Sequence, residues 1–419
     1  MKIEIIAVGS ELLTPFFLDT NSLYLTRRLN DLGLDPSWKT VVGDDPGDLA
    51  AALRDALGRA ELLLLMGGLG PTGDDLTREV LAGVLGRALR IDETILAGIR
   101  ERFLRRGKEM PDSNRKQAFV IDGAEVLENR NGTAPGQWLM SGTSRIVLLP
   151  GPPRELEPMC EASVWPMIAS SASGFLVRRV LKTTGLTESE AEVLIGDLYP
   201  DQKDLRLTIL ASPGQIEFHV SARSAGSRAE AQAALDDLTE GLRGRLGERV
   251  FSDSGEDLEQ VVGRMLRASG KTLAVAESCS GGLIAERITR IPGSSEVFLE
   301  GAVTYANAAK IRTLGVPAGL IESHGAVSAE VATAMAAGFR AKTGADLCVS
   351  ATGIAGPGGS SADKPRGLVF NALAWDGGTS VERNIFFGGR EQVRFQAAQK
   401  ALDLVRRHLE RALDRKAAP

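Results

Sequence analysis

Two short stretches in the last third of the chain carry side chains suited to nucleophilic chemistry. Residues 273–282, LAVAESCSGG, place Ser278 directly after a short apolar run and before two glycines. Residues 303–310, VTYANAAK, add Tyr305 and Lys310 on a predicted short strand and the turn after it. A serine beside a neutral lysine is a known nucleophile–base pair. The pattern makes Ser278 and Lys310 candidates for nucleophile and base.

The turn after Ser278 is also suited to stabilising negative charge. A strand, a glycine-containing turn and a helix start leave backbone N–H groups unpaired at one rim. We expect the N–H groups of Cys279, Ser280 and Gly281 to form an oxyanion hole, with the Ser280 hydroxyl as a further donor. The base must be neutral, so the Lys310 pKa must fall from about 10.4 to about 7–8. Tyr305 is expected to hydrogen-bond the Ser–Lys pair or to stack on a substrate ring.

Neighbouring residues have competing interpretations. Cys279 invites a thiol mechanism, but a small buried cysteine is commoner than a reactive one, and no histidine lies in the motif to activate it. Glu277 either binds the leaving amide nitrogen or caps the turn. His324 is expected to cap or pack, and it ranks below Lys310 as a base.

A second glycine-rich turn, TGIAGPGG at residues 352–359, is suited to holding a ribose or phosphate. Thr352 and Gly353 begin it, and Arg390, after two glycines, is positioned to pair with a phosphate. The alternative is that these glycines mark tight bends, as in any α/β domain.

A third glycine-rich segment, MGGLGPTGDDLT at residues 66–77, predicts a ligand site near the other end of the chain. Its glycines let the backbone approach a ligand, and the helix that follows presents its N-terminus to an anion. Two aspartates could ligate a divalent cation, or one could simply cap the helix near Leu76. The candidate residues are Gly67, Gly68, Gly70, Thr72, Asp74 and Asp75.

Length and composition indicate a globular protein with several domains. The 419 residues leave room for about two to four domains. Hydrophobic residues make up 43% and charged residues 25%, and the net charge of −5 argues against a broad nucleic-acid or membrane surface. Three cysteines and three histidines suggest neither a disulfide framework nor a zinc site. We therefore expect a reduced, cytoplasmic protein with no membrane or nucleic-acid partner.

The order of predicted elements divides the chain into three domains, 1–170, 174–252 and 254–415. Strands and helices alternate in the first, which predicts a parallel sheet covered by helices. A polar break at residues 170–174 precedes a small α+β region without a catalytic constellation. We interpret that region as a linker or dimerisation module, so a homodimer is expected. The last domain reads as a compact α/β/α unit.

Five ordered blocks in the last domain resemble the C-terminal domain of the CinA family. They are AESCSGG, PGSSEVF, VTYANAAK, HGAVS and TGIAGPGG. The resemblance implies hydrolysis of the carboxamide of nicotinamide mononucleotide (NMN) without a cofactor. The family usually has threonine at position 280, and serine keeps the hydroxyl.

The first domain resembles the N-terminal domain of CinA proteins, which is related to molybdopterin-binding folds. The blocks are GSELL, DTNS, GGLGPTGDDLT and GTAPG. The resemblance implies a nucleotide ligand; some members hydrolyse ADP-ribose with a divalent cation (Mg or Co) and potassium. It adds Asn21 and Arg115 to the candidate nucleotide site. The middle region resembles a KH-type fold without its GXXG clamp loop.

This sequence departs from the family pattern at residues 14–16, Thr-Pro-Phe, where a glycine-containing turn is common. Proline fixes φ and removes an N–H, which argues against backbone contacts to a ligand from that loop. Two alternatives to the enzyme remain open: an accessory protein for DNA uptake or damage response, and a first domain that handles molybdopterin.

Overall fold

The computed structural model describes residues 1–169 and 174–417, which form two compact units. The first unit comprises Met1–Leu176 with Arg223–Arg228, and the second comprises Val177–Ala222 with the chain from Ala229 onward. The predicted polar break lies outside the described residues except for Gly174. Within the described ranges, no helix has the length and apolar character needed to cross a bilayer.

The first unit alternates strands and helices as predicted. Its strands are β1 (Ile3–Val8), β2 (Trp38–Val42), β3 (Leu62–Met66), β4 (Leu89–Ile91), β5 (Phe119–Ile121), β6 (Glu125–Leu127), β7 (Gly136–Ser141) and β8 (Ser144–Leu149). Its helices are α1 (Thr20–Asp31), α2 (Pro46–Arg59), α3 (Thr77–Leu85), α4 (Glu93–Leu104), α5 (Pro153–Met159) and α6 (Trp165–Ala169).

The main sheet of this unit has the order β2-β1-β3-β8-β7-β6. The first four strands are parallel, as predicted, whereas β7 pairs antiparallel with β8, and β6 at the edge pairs antiparallel with β7. The reversal has a local cause: only two residues separate β7 from β8, which is long enough for a hairpin but not for a crossover. Strand β3 is apolar throughout, and β1 is apolar except for Glu4, because helices cover both faces of the sheet. Ile3 and Ile5 of β1 pack towards α1, and Ile6 and Val8 pack towards α2.

The second unit begins with a small α+β region and continues into a larger α/β region. The elements of the first region are β9 (Phe175–Thr184), α7 (Glu188–Ile195), β10 (Leu205–Ser212), β11 (Gln215–Ser224), α8 (Arg228–Leu246) and β12 (Val250–Ser252). Those of the second are α9 (Leu258–Ser269), β13 (Leu273–Glu277), α10 (Leu283–Thr289), β14 (Phe298–Val303), α11 (Asn307–Leu314), α12 (Ala318–His324), α13 (Ala329–Thr343), β15 (Leu347–Gly353), β16 (Leu368–Trp375), β17 (Gly378–Ile385) and α14 (Arg390–Ala417).

The predicted hairpin of the small region is β10–β11, within a sheet of order β10-β11-β9-β12. The larger region has the five-stranded order β14-β13-β15-β16-β17, in which β14, β13 and β15 are parallel. Side chains of β13 alternate between the sheet faces. Leu273 and Val275 contact the core built with α9 and α14, while Ala274 and Ala276 contact the core built with α13. The expected α/β/α layering is confirmed.

Three features of this region differ from the sequence prediction. The edge strand β17 and the short helix α12 were not predicted. Lys310 lies within helix α11 rather than on the turn after a strand. Residues 307–314 contain alanine, lysine, arginine and leucine, all good helix formers, and Gly315 ends the helix in the left-handed region at φ 75°.

Candidate active site

Ser278 lies at the edge of the sheet where the parallel strands β13, β14 and β15 end. It follows the last residue of β13, and its N–H donates to the carbonyl of Ala351 on β15 (2.9 Å). On the other side, the Thr304 N–H, just beyond β14, donates to the Glu277 carbonyl (2.8 Å). Two neighbouring strands therefore fix the backbone on both sides of the serine. The carboxyl ends of parallel strands are where ligands bind in such sheets.

Lys310 reaches this serine from helix α11. Its Nζ lies 3.0 Å from Ser278 Oγ, 2.8 Å from the Thr304 carbonyl oxygen and 3.4 Å from the Tyr305 carbonyl oxygen. The Lys310 side chain is 1% exposed and Ser278 is 7% exposed. A neutral amine has two N–H groups and one lone pair. When both N–H groups donate to the carbonyls, the lone pair remains to accept the Ser278 proton.

The surroundings of Lys310 favour its neutral form. Burial lowers its pKa, because removing an ammonium from water is costly and no carboxylate in the described chain pairs with it. This is the direction that a lysine base requires. The geometry brings the predicted nucleophile and base into contact in one buried place.

Glu277 caps the helix that follows the predicted nucleophile, Ser278. Its carboxylate accepts hydrogen bonds from the N–H groups of Gly282 (3.0 Å), Ile284 (3.1 Å) and Ala285 (2.9 Å), and the residue is 1% exposed. A carboxylate at a helix N-terminus also interacts favourably with the helix dipole. Of its two predicted roles, the structure supports capping.

We expect Glu277→Ala to lower the free energy of unfolding by about 3 kcal/mol, because three buried N–H groups lose a charged acceptor. Glu277→Gln should cost less, since one oxygen acceptor remains. Glu322→Ala, on the exposed face of α12, is the matched control and should leave the thermal midpoint unchanged. Thermal denaturation followed by circular dichroism measures all three. Equal midpoints for Glu277→Ala and Glu322→Ala would contradict the capping role.

The expected oxyanion hole is only partly available. The Gly281 N–H donates to the Ser278 carbonyl (3.2 Å), so the prediction that it is a free donor is wrong. The N–H groups of Cys279 and Ser280 donate to no oxygen in the described residues. They lie against the Cys279 sulfur, whose pKa burial raises to about 12. The thiol is therefore protonated at neutral pH, which argues against a Cys279 nucleophile.

Ser280 carries the most distinctive polar group of this turn. Its Oγ is fully buried and has no hydrogen-bond partner among the described residues. Its carbonyl accepts a hydrogen bond from Arg394 Nε (3.0 Å), which holds the turn against α14. Gly281 and Gly282 have φ values of 65° and 95°, which L-residues rarely adopt, so the tight turn requires glycine there.

Tyr305 and Arg390 meet at the exposed rim. The Tyr305 hydroxyl accepts a hydrogen bond from Arg390 Nη2 (2.7 Å), and Arg390 Nη1 donates to the Gly356 carbonyl (2.7 Å). The prediction that the Tyr305 hydroxyl bonds the Ser–Lys pair is wrong, because only its backbone carbonyl contacts Lys310. The ring is 61% exposed and thus accessible to a ligand. Arg390 joins the loops after β14 and β15 at the start of α14.

Thr352 and Gly353 have structural partners of their own. The Thr352 hydroxyl donates to the Ala326 carbonyl (2.8 Å). A Cβ at Gly353 would lie 2.6 Å from the Leu368 carbonyl oxygen, so strand pairing with β16 explains that glycine. His324 pairs weakly with Glu330 (Nδ1 to Oε1, 3.6 Å), whereas Ser278 and Lys310 bond each other and main-chain carbonyls, in line with the low ranking of His324 as a base.

The first unit contains a cavity of about 550 Å³ at the ends of β1 and β3. Its wall includes most of the predicted nucleotide-site residues: Asn21, Gly67, Gly68, Gly70, Thr72, Asp74 and Asp75. It does not include Arg115, which is exposed on the short 3-10 helix Asp112–Ala118, so the structure does not bring this predicted residue to the cavity wall. Six carboxylates and no lysine or arginine line the cavity. An anionic ligand therefore needs cations to bind there.

Asp74 and Asp75 do not cap α3, whose N-cap residue is Leu76. Both carboxylates turn back to Thr72: its hydroxyl contacts Asp74 Oδ1 and lies 2.5 Å from Asp75 Oδ2, and its N–H also donates to Asp75 (2.8 Å). One hydroxyl has one proton, so it can donate to only one of the two. The hydrogen bond from the Thr72 hydroxyl and the positive charge of Lys116 both lower the pKa of Asp74.

The carboxylates of Asp74 and Asp75 with the Thr72 hydroxyl fit a divalent cation whose coordination shell a bound ligand would complete. No three His, Cys, Asp or Glu side chains form a ready metal site in the described chain. Two carboxylates and a hydroxyl at one loop are, however, typical of Mg²⁺ sites that draw their remaining ligands from phosphates and water. Lys116 braces the loop from outside, since its Nζ donates to the carbonyls of Thr72 (2.8 Å) and Asp75 (2.5 Å).

The first two glycines of this loop are required by the protein itself. A Cβ at Gly67 would lie 2.1 Å from the Val8 carbonyl oxygen, and one at Gly68 would lie 2.1 Å from Thr77 Oγ1. Asn21, by contrast, has a polar atom that the protein itself leaves without a partner in the described residues. Its amide donates to the Gly151 carbonyl (2.6 Å), while its buried Oδ1 has no partner in the described residues. A ligand hydroxyl or amine could satisfy that oxygen.

Comparison with known proteins identifies all three regions. Residues 4–170 match a probable molybdopterin binding domain, residues 178–252 the KH domain of damage-inducible protein CinA, and residues 255–409 the CinA C-terminal domain. A CinA-like protein of Koribacter versatilis is 46% identical over 98% of this chain and all of its own length. The chain belongs to the CinA family.

Other relatives agree with this assignment. A CinA-like protein of Acidobacterium capsulatum is 47% identical over 98% of the chain, and a putative competence-damage inducible protein of Symbiobacterium thermophilum is 44% identical over 99%. The match spans the full length of both relatives. Among solved structures, a CinA protein of Thermoplasma acidophilum with unknown function is 34% identical over 40% of this chain and 97% of its own, with a TM-score of 0.37. The full-length relatives confirm the predicted family, and the sheet orders of the two units confirm the predicted fold class.

Sequence reasoning missed three residues that shape these sites. Thr304 acts through its carbonyl, which every residue type has, so no sequence signal could identify it. Arg394 lies four residues after Arg390 on α14, a spacing that places both on one helix face. Lys116 belongs to none of the motifs, and its contacts depend on the folded position of residues 72–75.

Proposed function

We propose that the second unit hydrolyses the carboxamide of NMN to nicotinate mononucleotide and ammonia. The observation that carries this proposal is the buried contact of Lys310 Nζ with Ser278 Oγ at 3.0 Å. A protonated lysine would gain little there, because burial disfavours its charge and lowers its pKa. A neutral amine against a serine hydroxyl is the arrangement that activates the nucleophile.

The reaction proceeds in two balanced halves. Ser278 Oγ attacks the carboxamide carbon as its proton moves to Lys310. The tetrahedral intermediate then collapses, and the amide nitrogen takes the proton from Lys310 and leaves as ammonia. Water attacks the resulting ester and gives a proton to Lys310. The C–O bond to Ser278 then breaks as Lys310 returns that proton to Ser278 Oγ, and the released acid loses its remaining proton to solvent to become the carboxylate. The N–H groups of Cys279 and Ser280 and the Ser280 hydroxyl, which have no oxygen acceptor among the described residues, would stabilise the oxyanion.

The substrate's other groups have matching partners. The pyridinium ring can stack on the exposed Tyr305 ring, and its positive charge would further favour neutral Lys310. Arg390, held in place by Tyr305 and the Gly356 carbonyl, would pair with the phosphate at the exposed rim. No cofactor is needed for these steps.

The direct test is incubation of the full chain with NMN, followed by quantitation of ammonia and nicotinate mononucleotide. We expect the two products in equal amounts. Nicotinate mononucleotide, which has no amide, serves as the unreactive control and should release no ammonia. A chain that releases neither product from NMN would contradict the proposal and favour the accessory role that the name of the Symbiobacterium relative suggests.

We also propose that the cavity of the first unit binds ADP-ribose together with a divalent cation and hydrolyses its pyrophosphate. Asp74, Asp75 and Thr72 would hold the cation, with potassium as a second counter-ion. When bound, the cation neutralises phosphate charge. The six carboxylates support this requirement, since they would otherwise repel the ligand. Release of AMP and ribose 5-phosphate with Mg²⁺ or Co²⁺ tests hydrolysis, and molybdopterin is the competing ligand to measure. We expect the chain to act as a homodimer, which sedimentation can test.

Lys116→Met should weaken ADP-ribose binding about tenfold, because the loop of residues 72–75 loses a charge-assisted brace. Arg115→Met is the matched control: it removes a neighbouring positive charge that does not line the cavity. Isothermal titration with ADP-ribose and Mg²⁺ measures both affinities. If both variants lost affinity equally, general charge rather than loop bracing would be responsible.

A further inference from the structure

The loop that departs from the family pattern presents an apolar surface to solvent beside the cavity of the first unit. Leu13 is 62% exposed, Phe16 is 91% exposed, Phe17 is 62% exposed and Leu18 is 73% exposed. Side chains of this size are usually buried, and a contiguous exposed group of them indicates a binding site. Phe17 and Leu18 line the cavity, whereas Phe16 does not.

The cavity wall contains side chains of two chemical kinds. The polar ones include Thr72, Asp74 and Asp75 of the glycine-rich loop. The apolar ones include Leu12, Phe17, Leu18, Pro150, Pro152 and Pro153. A ligand that satisfies both kinds has a charged, hydroxyl-bearing end and a flat apolar end. A nucleotide has this character, whereas a free phosphate or sugar phosphate has only the first end.

An unsatisfied acceptor supplies an independent sign of a ligand. Asn21 Oδ1 is buried without a partner in the described residues, although its own amide nitrogen is fixed by Gly151. Asn21 and Gly151 both line the cavity. Buried acceptors are normally paired, so this oxygen calls for a donor such as a ribose hydroxyl or an exocyclic amine.

We propose that Phe17 forms the face on which the aromatic base of a nucleotide stacks when the sugar and phosphates contact the polar side chains of this cavity. The inference rests on the proposed ADP-ribose site and assigns its base-binding side. Proline 15 fixes the backbone before the two phenylalanines, which limits the conformations the loop can adopt. Base–aromatic stacking tolerates different bases, because every base has a π-face. Phe17 therefore determines affinity for a ring rather than for one particular base.

The neighbouring phenylalanines provide a matched pair for the test. With Mg²⁺ present, Phe17→Ala should weaken ADP-ribose binding about tenfold or more, whereas Phe16→Ala should leave it unchanged. Phe17→Trp should retain affinity, and Phe17→Leu, which is apolar but not aromatic, should lose most of it. Isothermal titration of the full chain measures all four variants.

Fluorescence gives a second, direct readout. ADP-ribose should quench the added emission of Phe17→Trp but not that of Phe16→Trp, and ribose 5-phosphate, which lacks a base, should quench neither. Equal affinity of Phe17→Ala and the unaltered chain would overturn the inference and leave the proposed site standing. Failure of the unaltered chain to bind ADP-ribose would overturn both.

One other outcome would also overturn the stacking role. If Phe17→Ala and Phe16→Ala both reduced the sedimenting mass of the protein at the same concentration, the loop would be a contact between copies of the chain. The stacking proposal predicts no change in mass for either variant.

Discussion

Ser278→Ala and Lys310→Met should each reduce turnover of NMN by about a thousandfold or more. Removal of a nucleophile or of its base typically costs this much, and losses in one catalytic unit are not additive. The double variant should therefore be no slower than either single variant. The rate of ammonia release by full-length protein is the measurement.

Two controls separate catalysis from general damage. Ser323→Ala and Lys342→Met remove the same side-chain types outside the site, where both donate only to helix carbonyls or the adjacent turn. They should keep full activity, and circular dichroism should show all four variants folded. Full activity in Ser278→Ala and Lys310→Met would show that the Ser–Lys assignment is wrong even if NMN is the substrate.

The same pair predicts the direction of the pH dependence. Lys310 acts as a base only when neutral, so kcat/KM should rise with pH and level off above the folded-state pKa. Because burial lowers that pKa, the midpoint should lie below the value of about 10.4 for a free lysine. Lys310→Arg keeps the positive charge at every working pH and should remain inactive throughout.

Breaking the buried ion pair of Arg287 and Glu259 should be the most destabilising single charge change we predict. Arg287 Nη2 lies 2.6 Å from Glu259 Oε2 and 2.7 Å from Gln399 Oε1, and the two charged residues are 3% and 5% exposed. The pair joins α10, α9 and α14 behind the active-site turn. Glu259→Met should cost about 3–5 kcal/mol, because a guanidinium then stays buried without a counter-charge.

The double variant distinguishes charge from packing. Arg287→Met/Glu259→Met should recover much of the stability lost by Glu259→Met, since no unpaired charge remains. The surface pair Arg290 and Glu286 is the control, at 2.7 Å but more than half exposed, and its loss should cost at most about 1 kcal/mol. Chemical denaturation of each variant provides the free energies. If Glu259→Met were as harmless as Glu286→Met, the buried pair would carry no special weight.

Sequence reasoning anticipated the strands, the alternating helices and the position of Ser278, because these depend on local patterns. The apolar run at 62–66 and the glycines after Glu277 are enough to predict a buried strand and a tight turn. The sequence identified Lys310 as a candidate base but not its place in the fold. The stretch NAAKIRTL is compatible with a helix or a turn, and tertiary packing decides between them. The partner of Tyr305 and the position of Arg115 outside the cavity wall were not predictable, because they depend on where distant loops lie.

The glycine-rich loops show a different limit. Sequence alone could not tell glycines that approach a ligand from glycines that approach the protein's own chain. Gly67 and Gly68 belong to the second group, since Val8 and Thr77 occupy the space that a side chain would need. The paired aspartates after them were ambiguous for the same reason: capping and cation binding require similar residues, and only the orientation towards Thr72 decides against the cap.

The Lys310 amine is solvated by main-chain oxygens, and this has an evolutionary consequence. Carbonyls are common to all twenty amino acids, so exchanging the side chains at 304 and 305 leaves both acceptors where they are. Side chains around the lysine can therefore change during evolution, and the substrate preference can change with them. The proton affinity of the amine stays nearly constant. Adjusting that affinity would instead demand a new formal charge close by or a rearranged loop.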